Sequence, residues 1–158
     1  MDSVSFIADQ NVGKLARFLR MLGFNTLFFT GQDDGELVRL ALAEGRIILT
    51  RDTHIMERKL VTGGRLKAVL IKSDIAEEQV CQVINSLDLR ADLRPFTLCL
   101  EDNHPLETRG PEEVKTRVPP YVFKTQTQYV ECPFCRRIYW RGTHWQAMKK
   151  RLEKLAEC

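Results

Sequence analysis

"VSFIADQNVGKLARFLRMLG", residues 4–23, changes its hydrophobic period halfway along. Residues 4–9 are a mostly apolar run of strand length that ends at an acid, Asp9. From residue 12 the apolar positions move to helical spacing, with Leu15, Phe18, Leu19 and Leu22 on one stripe and Gly23 as a stop. A buried strand feeding an amphipathic helix is the first half of a βαβ unit, and the rest of the N-terminal half repeats it. "NTLFFT" (25–30) reads as a second strand and "DDGELVRLALAEG" (33–45) as a second helix closed by Gly45. "RIILTRD" (46–52) is a third strand, and "THIMERKLVTGG" (53–64) a third helix ending in paired glycines. "LKAVLI" (66–71) is a fourth strand. "AEEQVCQVINSLDL" (76–89) is a fourth helix with Val80, Val83, Ile84 and Leu87 on one face and Cys81 in its core pattern. Strands alternating with helices at this pace predict an α/β domain with a mostly parallel sheet flanked by helices.

After Arg94-Pro95 the pattern changes. Residues 96–143 are short, turn-rich pieces that hold most of the prolines and three of the five cysteines. A last helix starts near Thr143 with Trp145, Met148, Leu152 and Leu155 on its apolar face. The chain is therefore read as two units, residues 1–94 and residues 95–158.

With 158 residues, 44% apolar and 28% charged, the chain has the make-up of a globular protein, not a disordered one. Its apolar runs are far too short to span a bilayer, so no membrane partner is expected. "MDSVSFIAD" lacks a basic segment followed by a long apolar stretch, so no secretory signal is visible and the cytoplasm is the expected compartment. Cysteines there are expected as free thiols or metal ligands, Cys158 at the chain end as a free thiol.

The acids at the strand ends carry the chemistry. In open α/β sheets ligands bind outside the carboxyl ends of the strands, where strand order reverses. Asp9 ends the first strand, Asp52 follows the third, and Asp34 and Glu36 open the second helix on that same edge. If the first and third strands are neighbours, these carboxylates converge, and such a group needs a cation to stay ionised. All-oxygen donors suit Mg²⁺ or Mn²⁺, which can activate water and neutralise charge on a phosphodiester. The competing reading is helix capping: Asp33 with Glu36 and Asp74 with Glu77 match capping boxes, and Asp9 and Asp52 also precede helices. Around the acids, Lys14, Arg17 and Arg20 recur on the first helix, and Thr50 and Arg51 flank Asp52. His54 reads as a surface or capping residue. Farther on, Arg136, Arg137 and Arg141 interleave with Tyr139, Trp140 and Trp145, a mixture that suits single-stranded nucleic acid and equally a solvated face. A glycine-rich phosphate loop and a Ser-His-Asp or Cys-His nucleophile are not supported.

"FIADQNVGKLARFLRMLGFNT", "DDGELVRLALAEGRIILTRD", the Gln79 helix, "PLE" (105–107) and "CPFCRRIYWRGTHW" (132–145) together resemble the Mut-seven C-terminal RNase domain family, a PIN-like nuclease fold fused to a zinc ribbon. The resemblance covers nearly the whole chain. It implies a metal-dependent ribonuclease with Asp9, Asp34 and Asp52 at the metal and Glu36 as a secondary candidate. Lys14, Arg17, Arg20, Thr50, Arg51, Arg136, Arg137, Trp140, Arg141 and His144 would then contact RNA. PIN-like folds often pair, so a homodimer is a second partner to test.

One departure stands out. Cys132 and Cys135 form a C-x2-C knuckle, whereas the family's first knuckle, C-x2-C-N, is here Cys99-Leu-Glu-Asp102-Asn103. A tetrahedral structural zinc takes four ligands, and carboxylate oxygen binds it at about 2.0–2.2 Å against about 2.3 Å for thiolate. Asp102 stands in the missing ligand's place, with His104, His144 and water as the other candidates. Loss of the metal is the competing outcome. The expected activity is Mg/Mn-dependent endoribonucleolytic hydrolysis of single-stranded or loop RNA; a non-catalytic RNA- or ribosome-binding module with a vestigial acid cluster is the alternative. A phosphoryl receiver built on Asp52 is disfavoured, because its adjacent acids after the first strand and its fifth βα unit are missing.

Overall fold

The computed structural model describes residues 3–155. Four strands, β1 (Ser5–Ala8), β2 (Asn25–Phe28), β3 (Ile47–Thr50) and β4 (Ala68–Leu70), form a parallel sheet in the order β2-β1-β3-β4. Phe6 pairs with Thr26 on one side and Ile47 on the other, so the first and third strands are neighbours. Because the chain steps from β1 to β2 on one side and on to β3 across β1, strand order reverses between β1 and β3.

Side chains alternate across this sheet as the pleat requires. Phe6, Ala8 and Leu49 face one layer, where α1 (Gly13–Met21) brings Leu15 and Leu19 and α5 (Ala76–Leu87) brings Val80 and Val83. Ile7 and Ile48 face the other, covered by Leu37, Val38 and Ala41 of α2 (Asp34–Glu44). Each fully buried Leu, Ile or Phe contributes about 1.5–3 kcal/mol, so the three-layer arrangement follows from the two-sided apolar strands. Cys81 is buried on α5 as its spacing implied.

The third helix differs from its expected form. It is two short pieces, α3 (Thr53–Met56) and α4 (Lys59–Thr62), broken where Arg58 is extended at φ −61°, ψ 140°. A continuous helix would place Lys59 and Thr62 on the face of buried Ile55. The break turns Leu60 and Val61 onto that apolar layer instead.

At the junction with the C-terminal half, Arg94 donates its amide to Leu22 O at 2.7 Å. Gly23, at φ +94°, makes this contact possible, since a Cβ there would lie 2.2 Å from Arg94 O. The remaining elements are a small antiparallel sheet, β5 (Glu107–Arg109), β6 (Tyr129–Glu131) and β7 (Ile138–Tyr139), with α6 (Pro111–Val114), α7 (Pro120–Thr125) and α8 (Thr143–Leu155). Trp145 and Met148 of α8 enter the same apolar cluster as α1 and α5. The expected side-chain positions of Leu152 and Leu155 on that face lie outside what the structure describes, and Cys158, expected as a free thiol, lies outside the described residues.

Candidate functional site

Asp9, through its carboxylate, and Asp52, through its backbone amide, bond one buried hydroxyl. Thr50, at the end of β3 and fully buried, donates its Oγ1 to Asp9 Oδ2 at 2.7 Å and accepts the Asp52 amide at 3.0 Å. Thr50 is therefore turned inward and engaged with the two acids, where its position beside Asp52 suggested contact with substrate; by strand alternation its side chain lies on the face of the sheet that Ile48 shares. Both acids also cap. Asp9 Oδ1 accepts the Gln10 amide at 2.8 Å, and Asp52 Oδ1 accepts the His54 amide at 2.9 Å. The His54 amide holds the Asp52 carboxyl below the usual carboxylate range; burial opposes it, and the His54 imidazole, 3.1 Å away, adds to the lowering.

Asp34 and Glu36 open α2, half-buried and exposed respectively, while Asp33 Oδ1 takes the Gly35 amide at 3.0 Å. Two residues that spacing did not flag brace this edge. Gln10 donates its amide to Thr30 O at 3.1 Å, and Asn11 Oδ1 accepts the amide of exposed Arg51 at 3.2 Å. The polar "DQN" run after β1 was their only signal in the sequence.

The cations divide. Lys14 is exposed, and Arg17 pairs with Glu101 of the C-terminal half. Arg20 is a correction: it is 8% exposed, donating Nε to Thr26 O at 2.8 Å and its guanidinium to Leu100 O at 2.9 Å. Three-residue steps rotate by about 60° less than a full turn each, so Arg20 has swung from Lys14's solvent face toward the core and cannot line a substrate surface. Arg136 Nε lies 3.0 Å from buried Glu131, and the Arg141 guanidinium sits 5.3 Å from the Phe96 ring centroid. Trp140 is half-buried, edge-on to Tyr129, and His144 is exposed.

The cysteines converge in two loops of matching geometry. In the first, the Asn103 amide donates to Cys99 O at 3.0 Å with Asn103 at φ +66°; in the second, the Arg136 amide donates to Cys132 O at 2.8 Å with Arg136 at φ +68°. Cys99 N donates to His104 O at 2.8 Å, and Cys132 N to Arg137 O at 2.9 Å. Asp102 and Cys135 occupy equivalent places in these two turns. The ligand atoms of Cys99, Asp102, Cys132 and Cys135 all lie within 4.8 Å of one another. Cys99 and Cys135 sulfurs are 3.6 Å apart, and Cys132 Sγ is 3.3 Å from Asp102 Oδ2. Tetrahedral thiolates about 2.3 Å from a zinc stand ~3.8 Å apart, so the spacing is that of a closed four-ligand site. His104 takes no part through its ring, which stacks on Phe134, while its amide donates to Asp102 Oδ1 at 3.0 Å. Burial pushes the Cys132 thiol up to about 11. Burial also works to raise Asp102, but hydrogen bonds from the His104 amide and the thiols outweigh it and lower its carboxyl. Among the described residues this is the one group of three or more Cys, His, Asp or Glu gathered tightly enough to share an ion; the carboxylates at the sheet edge are not drawn into such a set.

The Mut7-C RNAse domain model matches residues 4–152, almost the full length of the chain. The chain belongs to the Mut7-C RNAse domain family. No curated protein and no solved structure matches it. The Mut7-C match takes in both the strand-end acids and the two cysteine loops. No helix among the described residues is long and apolar enough to cross a membrane.

Proposed function

We propose that this chain is a metal-dependent endoribonuclease acting on single-stranded or loop RNA, with Asp9, Asp34 and Asp52 as metal ligands and Glu36 in support. The observation that carries it is the Asp9–Thr50–Asp52 linkage at the β1/β3 reversal, in a chain of an RNase family. The donors are all oxygen, which suits Mg²⁺ or Mn²⁺. An ionised carboxylate has about four acceptor sites, so the capping bonds leave Asp9 and Asp52 room to bind a cation. When bound, the ion would supply Lewis-acid charge neutralisation and an acidified water. Thr50 sets the spacing of the two acids, Gln10 and Asn11 brace the flanking loops, and Lys14, Arg17 and Arg51 offer cations to phosphate. On this reading residues 1–94 are a PIN-like nuclease unit. Residues 95–158 are a zinc-ribbon-like unit with its helix, Zn²⁺ being held by Cys99, Asp102, Cys132 and Cys135.

The second reading is a non-catalytic RNA- or ribosome-binding module. It is favoured by the capping bonds that Asp9, Asp33 and Asp52 all make. One assay separates them. Asp9→Asn and Asp52→Asn should each remove Mg²⁺- or Mn²⁺-dependent RNA cleavage, by about a thousandfold or more if the ion's charge stabilisation is lost, while the protein stays folded. A wild type that binds RNA without metal-dependent cleavage would favour the second reading, and cleavage at the wild-type rate in both variants would leave the acids as caps.

A further inference from the structure

Two cavities share a wall. The first, about 340 Å³, is lined by aromatic rings, Phe96, Tyr121, Tyr139, Trp140 and Trp145, with Met21 and His144 at its border with the second. The second, about 520 Å³, also contains Met21 and His144 and runs back along α1 past Arg17 to Lys14. The two cavities adjoin at Met21 and His144, and the second ends at Lys14, two residues past the turn that follows Asp9 and at the start of α1.

The charges along the second cavity are mixed, and two of its three cations are already paired, Arg17 with Glu101 and Arg151 with Glu77. Lys14, Arg17 and Arg151 line it together with Asp74 and Glu77, and Arg151 pairs with Glu77 at 2.9 Å. At the aromatic end, Arg141 lies over Phe96, whose ring is also held edge-on by Trp145 at 4.9 Å. Trp140 is fixed from behind by Tyr129, and Tyr121 is 70% exposed. A pocket walled by several rings, beside a channel where Lys14 and the two paired arginines offer donors to phosphate, fits a flat aromatic group carried on a phosphate chain. Pockets of about 300 Å³ and upward suit ligands of that size.

We propose that the aromatic pocket takes one nucleobase of a single-stranded RNA whose phosphates follow α1 to the acidic edge. This rests on the ribonuclease reading and adds where the strand lies. Lys14 to Met21 spans about 10 Å of helix. At about 3.4 Å per stacked nucleotide, the held base lies no more than about three nucleotides along the strand that α1 guides.

The chain's two tryptophans, Trp140 and Trp145, both line this pocket, so its entire tryptophan emission reports on it. The test titrates full-length Asp9→Asn protein with a short single-stranded RNA and with an abasic ribose-phosphate chain of equal length and charge. Anisotropy reads binding and tryptophan emission reads stacking. RNA should quench the emission saturably, and the abasic chain should bind roughly five- to a hundredfold more weakly without quenching, as expected when a stacked base is removed. Tyr121→Ala, at an exposed position, should weaken RNA binding about tenfold and leave abasic binding unchanged. Equal binding of the two chains, RNA binding without quenching, or no binding at all would overturn the proposal. So would emission that changes with protein concentration alone, which would assign the pocket to a second copy of the chain. Failure of the ribonuclease reading shows separately, as wild-type protein that binds RNA without Mg²⁺- or Mn²⁺-dependent cleavage, and failure of the Asp9 site as cleavage that survives in Asp9→Asn.

Discussion

Glu131 ends β6 at 2% exposure, and three arginines converge on it. Arg109 Nε and the Arg117 guanidinium each lie 3.1 Å from its carboxylate, and Arg136 Nε 3.0 Å away. A buried carboxylate is costly unless paired, and here the pairing joins β5, β6, the segment after α6 and the second cysteine loop. Burial works to raise its pKa, but the Arg117 and Arg109 hydrogen bonds outweigh that and hold it below its ordinary value of 4.5. The sign follows: a depressed carboxyl contributes stability that is present above about pH 4.5 and lost as pH falls through the lower folded value. Glu131→Gln should therefore cost about 2–3 kcal/mol near neutrality, below the usual figure for breaking a buried pair because the arginines are partly open to water. It should also flatten the acid limb of the stability profile. Denaturant melts at several pH values check both; a variant that melts like wild type at pH 7 would show the cluster to be neutral in net effect.

At the scale of elements, α5 opens differently from its expected capping box. Ser73 Oγ, not Asp74, accepts the Ile75 amide at 3.0 Å, and the same hydroxyl donates to Glu78. Ser73→Ala should cost about 1 kcal/mol and Asp74→Ala almost nothing, by thermal or denaturant melting. The reverse order would reinstate the Asp74–Glu77 box. Such mismatches show what the sequence carries. The four parallel strands were legible because each sits in a mostly apolar stretch of strand length between helical patterns, and α1 and α5 because each has a 3.6-residue stripe; that β1 and β3 are neighbours stood only as a condition until the sheet order was seen. β5 to β7 were not, because they are as short as β4 but lack the longer apolar run and flanking helices that marked it. Asp9 and Asp52 could be read as strand-end acids, and Asp102 from its place in a knuckle. Arg20, Glu131 and Gln10 could not, since their roles depend on partners far along the chain. The same limit hid the break between α3 and α4, which only the apolar layer beneath it demands.

Across the whole molecule, the Cys₃Asp cluster is placed to tie the two halves of the chain together. Its first loop docks on the parallel sheet: Asn103 Oδ1 accepts the Thr26 amide at 3.0 Å, Asn103 donates to Asn25 Oδ1 at 2.8 Å, and Arg20 reaches both Thr26 O and Leu100 O. Its second loop is anchored through Arg136 to Glu131 and the small sheet. A zinc held between them would therefore stabilise contacts on both sides, and its free energy would count toward folding of the chain. At free zinc about a hundredfold above Kd that is roughly 2.7 kcal/mol, and with about 2–4 °C per kcal/mol for a chain of this size chelation should lower Tm by about 5–10 °C. The aspartate distinguishes ligand from bystander. Asp102→Ala should lose zinc on dialysis and melt like the chelated protein, whereas Asp102→Cys, restoring a four-thiolate set, should hold the ion at least as tightly. The measurements are zinc content by elemental analysis and melting with and without chelator. Purified protein free of zinc, with a Tm indifferent to chelator, would mean that the two loops are held by hydrogen bonds and Glu131 alone. Zinc kept at full affinity in Asp102→Ala would leave three cysteines and a different fourth ligand.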